Sequence, residues 1–451
     1  MAPASQFDFS NAKQLTINNS SDTLDYWMIQ SKKSAPNQLI PHLIINGAFE
    51  DAATHRELLN AIAADAPVIV VSLPGLGRNI CLPKQPNAKY WIAALVQLLD
   101  HLKVERCTLQ GGDLAATLAT ALAAEHPTRV ERVIVYGVCH KLRKLWRLLL
   151  SEIRAELLTD RASFDVQAFV LYLLTEDAIS DQRLHRLYTR YFHHEFERFT
   201  EIDWQRFQLM IDGLLDVHHM IGFPECPILV CAGEYDQLTL PFEQADYADE
   251  CPLADFVLVD GVDHYLRVDR NATMVRLIHT YLLKEDYRKL DGVCWFAPGT
   301  YQEYERRGEP RLIPKHGIAR LYTRFVDVPI EGELLDAESD EPKHSTLNND
   351  SSTVPRFCAV TIKDINFNGC RIELDRQLFR MHKNAPDLVL YLENPKLKLK
   401  VLAFDQGRHA TRCLFRHANY NDALLFRQVL NESENFQMPE ENDGREVAGG
   451  N

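Results

Sequence analysis

A series of short apolar runs that do not alternate with polar residues constrains this chain more than any other feature. They are Leu43–Asn46, Pro67–Leu73, Cys107–Gln110, Val133–Tyr136, Pro227–Ala232 and Phe256–Val259. A strand with one wet face alternates apolar and polar side chains, whereas a strand buried on both faces does not. Helix-period segments separate the runs: His55–Ala64, Tyr90–Lys103, Leu114–His126 and Ala272–Lys284. Strand and helix in alternation give a doubly wound α/β sheet, here preceded by a pair of opening strands at Lys13–Asn18 and Leu24–Gln30. Ligands in such sheets bind beyond the carboxyl ends of the strands, so the residues just after each strand carry the functional information.

Asn46-Gly47-Ala48-Phe49 follows the first run, and Ser72-Leu73-Pro74-Gly75-Leu76-Gly77-Arg78 the second. The third passes through Gly111-Gly112-Asp113 directly into the Ala- and Leu-rich helix that opens at Leu114. A side chain at such a bend stands above the sheet at a helix N-terminus, where free N–H groups and the dipole favour negative charge. The spacing fits a nucleophile elbow, with Asp113 at the apex and Ala115 where a second Gly is commonest. Asp113 has two readings at this point, a nucleophile or a helix cap. Gly233-Glu234-Tyr235-Asp236 and Gly261-Val262-Asp263-His264 end the later strands. Asp236 is the preferred acid, Glu234 the alternative, and His264 is either a base or a structural histidine.

Taken in chain order, these residues resemble the α/β-hydrolase family from about residue 38 to 285. The resemblance implies Asp113 at the nucleophile position, Asp236 as acid and His264 as base. It also implies an oxyanion site from the backbone N–H groups of Ala48 and Leu114. Family members with Asp at the elbow include epoxide hydrolases and haloalkane dehalogenases. Leu114 stands where these usually carry Trp, and Ala48-Phe49 where they usually carry Pro, which leaves the reaction type open between ester, epoxide and carbon–halogen hydrolysis.

Between Tyr136 and Pro224 the alternation stops. Leu142–Leu157, Val166–Leu174, Ile179–Phe192 and Trp204–His218 read as amphipathic helices, an expected lid over residues 140–222. The family resemblance brings Tyr172, Tyr188, Tyr191, Phe192 and Trp204 near a covered, mostly apolar pocket. His193-His194 and His218-His219 lack a third ligand at a useful spacing, so no metal is expected.

The helical pattern ends near residue 285. Residues 286–311 read as a charged connector, and after it Ile318–Val328, Phe357–Ile365, Cys370–Leu374, Leu388–Leu392, Leu397–Phe404 and Arg412–Phe415 read as strands of a small all-β barrel over 312–435. Residues 337–354 read as a flexible loop and 436–451 as a disordered tail. Arg306, Arg307 and Arg311 lie on the connector, and Asp364-Ile365-Asn366-Phe367-Asn368-Gly369 forms a polar turn between strands. Guanidinium forks suit phosphate oxygens and guanine edges, while the bland reading is a solvated charge cluster. Arg307-x-x-x-Arg311 with Asp364, Asn366 and Gly369 resembles the PilZ domain, a bacterial receptor for cyclic diguanylate (c-di-GMP). Asn366 stands where that pattern usually has Ser. The resemblance implies c-di-GMP as a regulatory ligand.

A net charge of −14 over 451 residues argues against a nucleic-acid polymer as partner. Ten cysteines without a Cys-x-x-Cys pair fit reduced thiols. With no leader pattern and no apolar run of spanning length, a cytoplasmic protein is expected. Two functions stay open: a nucleotide-regulated hydrolase of a small apolar substrate, or an inactive hydrolase-like effector that binds a partner protein.

Overall fold

The computed structural model describes residues 9, 11–17, 21–31, 40–47, 50–84, 86–139, 142–159, 182–216, 222–301, 312–315, 317–322, 357–367, 369–373, 388–393, 396–406, 411–416, 420–431 and 436–437. Contacts divide the chain into two compact units, Met1–Arg306 and Arg307–Asn451.

The first unit starts with a hairpin, β1 (Lys13–Thr16) and β2 (Thr23–Ile29), whose short connection makes the pair antiparallel. There follow β3 (His42–Ile45), α1 (Arg56–Ile62), β4 (Val68–Ser72), α2 (Ala88–His101), β5 (Cys107–Gly112), α3 (Leu114–Glu125) and β6 (Val130–Tyr136). Three helices of the expected lid come next, α4 (Lys144–Thr159), α5 (Gln182–Glu197) and α6 (Glu201–Leu215). Then the alternation resumes with β7 (Ile228–Gly233), α7 (Pro241–Asp249), β8 (Ala254–Val259), α8 (Leu266–Asp269), α9 (Asn271–Leu282) and β9 (Val293–Phe296).

The strands form one sheet in the order β1-β2-β4-β3-β5-β6-β7-β8-β9. Strands β3 to β8 are parallel, which is why β3, β4, β5 and β7 are buried at every residue. Both edges depart from the parallel pattern: β2 pairs antiparallel with β4, and β9 antiparallel with β8. The β9 segment lies in the stretch read from sequence as connector, where four strand residues beside Gly and Pro carry little periodic signal.

Two of the helices begin where the sequence supplies a side-chain cap. Asn87 accepts from the Tyr90 N–H at the head of α2, and Thr200 and Asp203 form a reciprocal capping box on α6. Helix α3 is buried over ten of its twelve residues, so its small Ala and Thr side chains let it lie close against the sheet. Trp91 of α2, with no exposed surface, donates its indole N–H to the Pro74 carbonyl and ties that helix to the loop after β4. Across α5 and α6, Phe192, Phe196, Phe199, Trp204 and Phe207 form a ring-on-ring cluster.

The second unit is an all-β barrel. Strands β10 (Ile313–Pro314), β11 (Ile318–Tyr322), β12 (Phe357–Asn366), β13 (Gly369–Glu373), β14 (Val389–Glu393), β15 (Lys396–Gln406) and β16 (Thr411–Arg416) are followed by α10 (Tyr420–Asn431) and β17 (Phe436–Gln437). Six of them close in the order β11-β12-β13-β16-β15-β14, antiparallel throughout, and β10 pairs with β17. The expected small barrel is therefore present, and α10 packs Phe426 edge-on against Phe415 of β16. The tail expected to be disordered over 436–451 starts instead with the paired strand β17, because Phe436 and Gln437 bond to β10; residues 438–451, like 337–354 and the segment Val166–Leu174, lie outside the described residues. Among the described residues, no helix is long and apolar enough to cross a membrane.

Candidate active site

Asp113 takes φ 54° and ψ −121°, a backbone region that side chains other than glycine seldom adopt. Holding it there costs of the order of 1–3 kcal/mol, which the surroundings must supply. They do so with the Asp113 N–H donated to the Tyr136 carbonyl at 3.0 Å. The preceding glycines make the bend possible. A Cβ on Gly111 would lie 2.4 Å from the Ala115 carbonyl oxygen, and one on Gly112 would lie 2.2 Å from the Tyr136 ring. This is a sharp strand-to-helix elbow with Asp113 at its apex.

The Asp113 side chain makes no hydrogen bond to the helix it precedes, so the capping reading fails. Instead its Oδ1 lies 2.6 Å from His264 Nε2. Gly137, at φ +65°, makes room for that contact: a Cβ there would fall 2.7 Å from Asp113 Oδ1 and 3.0 Å from His264 Cε1.

His264 stands between two carboxylates. Its Nδ1 lies 2.9 Å from Asp236 Oδ2, and Asp236 has no exposed surface. Three donors fix that carboxylate: the N–H of Leu238 at 2.9 Å, the N–H of Thr239 at 2.8 Å and the Thr239 hydroxyl at 2.7 Å. Burial by itself would lower the His264 pKa. The charges of Asp236 and Asp113 outweigh it and hold the imidazole well above its ordinary value. Both neighbouring carboxyl groups thus favour the charged form of the ring.

The alternative acid, Glu234, is spent elsewhere, accepting the Gly261 N–H at 2.8 Å. Leu114 begins α3, so its N–H has no acceptor within the helix and lies beside Asp113. Ala48, the other expected oxyanion donor, lies outside the described residues, as does Tyr172. Tyr265 meets the His264 ring edge-on at 5.0 Å between centroids, and Tyr191 of α5 lies 6.4 Å from Tyr265. Tyr191 is therefore one ring removed from His264. Phe192 has no exposed surface and Trp204 packs on Phe196, so both belong to the aromatic cluster of α5 and α6.

Sequence reasoning missed Glu50, Gly137, Thr239 and Arg267. Thr239 had a signal, since Asp-x-x-Thr before a helix satisfies a buried carboxylate locally. Glu50 and Arg267 had none, because 217 residues separate the partners of that pair.

Asn46 serves the frame. Its Nδ2 donates to Ser72 Oγ and its Oδ1 accepts from His55 Nε2, each at 2.8 Å. The lid pair His193-His194 makes surface contacts with Glu197 and Arg198. His218-His219 lies outside the described residues. Among the described residues, no group of three or more His, Cys, Asp or Glu is arranged to hold a metal ion.

In the second unit, the turn between β12 and β13 brings Asp364, Asn366 and Gly369 together. A bulge beside Lys363 sets Asp364 opposite Arg371, whose guanidinium binds it through Nε and Nη2. Asn366 Oδ1 accepts the Gly369 N–H at 3.0 Å. A Cβ on Gly369 would lie 2.2 Å from the Cys413 carbonyl oxygen, so only glycine fits. Arg306, Arg307 and Arg311 lie outside the described residues.

A family model described as alpha/beta hydrolase fold matches residues 41–270. The chain is 24% identical over 257 residues to a 2-hydroxymuconate semialdehyde hydrolase of Pseudomonas sp. (strain CF600), covering 54% of this chain and 88% of that protein. It is 24% identical over 248 residues to a pyrrolizixenacetamide deacetylase of Xenorhabdus hominickii, covering 54% and 91%. Among solved structures, a thermophilic esterase from Thermogutta terrifontis superposes with a TM-score of 0.50 at 15% identity, covering 61% of this chain and 99% of that one. That likeness concerns the fold alone. With the family model spanning a little over half of its residues, the chain belongs to the alpha/beta hydrolase family.

Proposed function

We propose that the first unit is a hydrolase in which Asp113 is the nucleophile, His264 the base and Asp236 the residue that orients the base. The observation that carries this reading is the unbroken contact from Asp113 Oδ1 through the His264 ring to buried Asp236, at 2.6 and 2.9 Å.

The chemistry divides into two steps. A carboxylate oxygen of Asp113 attacks an electrophilic carbon of the substrate, a carbon–oxygen bond forms, and the leaving group departs with its electron pair. Asp113 is then an ester, or a mixed anhydride where the carbon attacked is an ester carbonyl, and carries no charge. One of the two charges that held the His264 pKa up has gone, while burial still pulls it down. His264 then passes its proton to the departed leaving group or to solvent, and the neutral ring accepts one from the attacking water. The hydroxide equivalent attacks the ester carbonyl, whose oxyanion the Leu114 N–H stabilises, with Ala48 as second donor. The ester C–O bond breaks, the leaving oxygen takes the proton from His264, and the Asp113 carboxylic acid so formed passes its own proton to His264 Nε2, which restores the carboxylate and the protonated ring. The base is thus available only after the nucleophile has reacted, an order a neutral serine at the elbow would not impose.

The aromatic lid and Tyr265 favour a small, mostly apolar substrate. The test is turnover of a panel of esters, epoxides and haloalkanes by the wild type and by Asp113→Asn. The reading expects turnover that the substitution abolishes. Absence of wild-type turnover on all three classes favours the alternative, an inactive hydrolase-like effector that binds a partner protein.

We also propose that the second unit takes c-di-GMP, which would make the protein a nucleotide-regulated member of its family, with its work in the cytoplasm. Support comes from the barrel, from the preformed Asp364–Gly369 turn and from Arg371, whose half-exposed guanidinium stands beside Asp364. Arg306, Arg307 and Arg311 would supply further forks for phosphate and guanine edges. Calorimetry of the full chain with c-di-GMP tests it. Arg307→Ala is expected to weaken binding at least tenfold, and unaltered affinity removes the arginine assignment.

A further inference from the structure

A second polar network, separate from the Asp113–His264–Asp236 line, runs beside it. Arg267 lies three residues after His264, in the short helix α8. Its Nη2 donates to the Thr54 carbonyl at 2.9 Å and its Nη1 binds His55 Nδ1. The tautomer of His55 follows: Nε2 carries the hydrogen and donates to Asn46, which in turn holds Ser72. Arg267 Nη1 also lies 3.4 Å from Glu50 Oε1. The other oxygen of Glu50 accepts the Gly47 N–H at 2.8 Å. The ends of β3 and β4, the turn at residues 50–55 and the segment carrying His264 thus share one chain of hydrogen bonds.

The central pair is poorly hydrated, with side-chain exposures of 9% for Arg267 and 18% for Glu50. Among the described residues, the carboxylate paired with Arg267 is Glu50. A charge pair so placed holds its geometry while both members are charged and loosens when either is neutralised.

We propose that Glu50 and Arg267 are a positioning pair that fixes the Gly47 turn relative to the His264 segment, and that protonating Glu50 releases it. The groups facing Glu50 are Arg267 from α8, Tyr136 from the end of β6 at 3.5 Å, His55 at 3.8 Å, Asp113 from the elbow and Tyr191 from α5. Burial raises the Glu50 carboxyl, Arg267 and the Gly47 N–H counter it, and Asp113 adds to the rise. Glu50 therefore takes its proton above the ordinary carboxylate value of about 4.3. His55 stays neutral there, because burial and Arg267 hold it well below its ordinary value.

The kinetic part of the proposal rests on Asp113 as nucleophile; the structural part does not, and the experiment separates them. The full chain is labelled with [15N]glycine and the Gly47 amide is followed from pH 4 to 8, with Gly47→Ala identifying the resonance. The expected result is a titration with its midpoint above about 4.3. Glu50→Gln removes it, Arg267→Lys retains it, and Arg267→Gln moves it to higher pH by removing the cation. The other glycine signals report whether each variant folds. If a variant does not fold, the wild-type curve and Arg267→Lys decide. A flat Gly47 response in the wild type, or an unchanged titration in Glu50→Gln, overturns the proposal.

In parallel, covalent labelling of Asp113 by 1,2-epoxyhexane is read by mass spectrometry across the same pH range. The expected result is an acid limb in the wild type that Glu50→Gln lacks, with labelling at pH 7 at least tenfold slower in that variant. No labelling of the wild type counts against the nucleophile reading, and the Gly47 titration still decides the pair.

Discussion

Replacing Asp113 with Asn keeps the side chain's shape and removes its charge, and the expected consequence is a drop in the pKa of His264. An opposite charge in contact with a titrating group typically shifts it by about 1–3 units. At 2.6 Å the contact is close, yet 35% of the Asp113 side chain faces solvent, and screening there reduces the effect. Screening therefore makes the drop smaller than a fully buried contact of this length would give, and its direction is downward. Asp236 remains, so His264 in the variant still titrates above the value that burial alone would set. The assay is NMR of [13C]histidine-labelled protein, with His264→Gln identifying the signal among the 17 histidines. The sign has a second consequence. A histidine pKa raised in the folded state stabilises the fold below its unfolded value of about 6.5, and that contribution is lost as pH rises through the folded value. Asp113→Asn should weaken this pH dependence of the urea midpoint. If His264 titrates at the same pH in wild type and variant, or near 6.5 in the wild type, the charge pattern drawn here is wrong. The delayed appearance of the base then falls with it.

Further expected outcomes concern the frame around the site. Gly137→Ala places a methyl group against Asp113 and His264 at a positive φ, so it should cost about 1–3 kcal/mol in urea unfolding and abolish any labelling of Asp113. His42, buried with Thr108 and Gln110 at 2.7 and 2.9 Å, is held down to about 4, chiefly by burial. Between pH 6.5 and 4.5 the unfolded chain gains a proton that the folded chain refuses, so stability should fall with acidity by up to about 3 kcal/mol. His42→Gln should flatten that slope. Gly369→Ala forces β13 away from the Cys413 carbonyl, and urea unfolding followed by circular dichroism should show a loss of about 1–3 kcal/mol.

The amino-acid order alone determined the layered sheet, because strands buried on both faces need unbroken apolar runs and crossover helices need a 3.6-residue period. It determined equally that Asp113, Asp236 and His264 stand at strand ends, and that short strands with frequent turns close a barrel in the second unit. Only the folded chain decided what these groups do to one another. Whether Asp113 caps α3 or meets a histidine depends on an elbow geometry that two glycines and the Tyr136 carbonyl impose. The antiparallel edges depend on hairpin and sheet-edge pairing that a run of four strand residues at Val293–Phe296 does not announce. Glu50 and Arg267 carry no local pattern at all: their meeting follows from bringing the turn after β3 beside the segment after β8. Local periodicity records which face of an element is dry, whereas charge pairs between distant loops exist only once the sheet has brought those loops to the same edge.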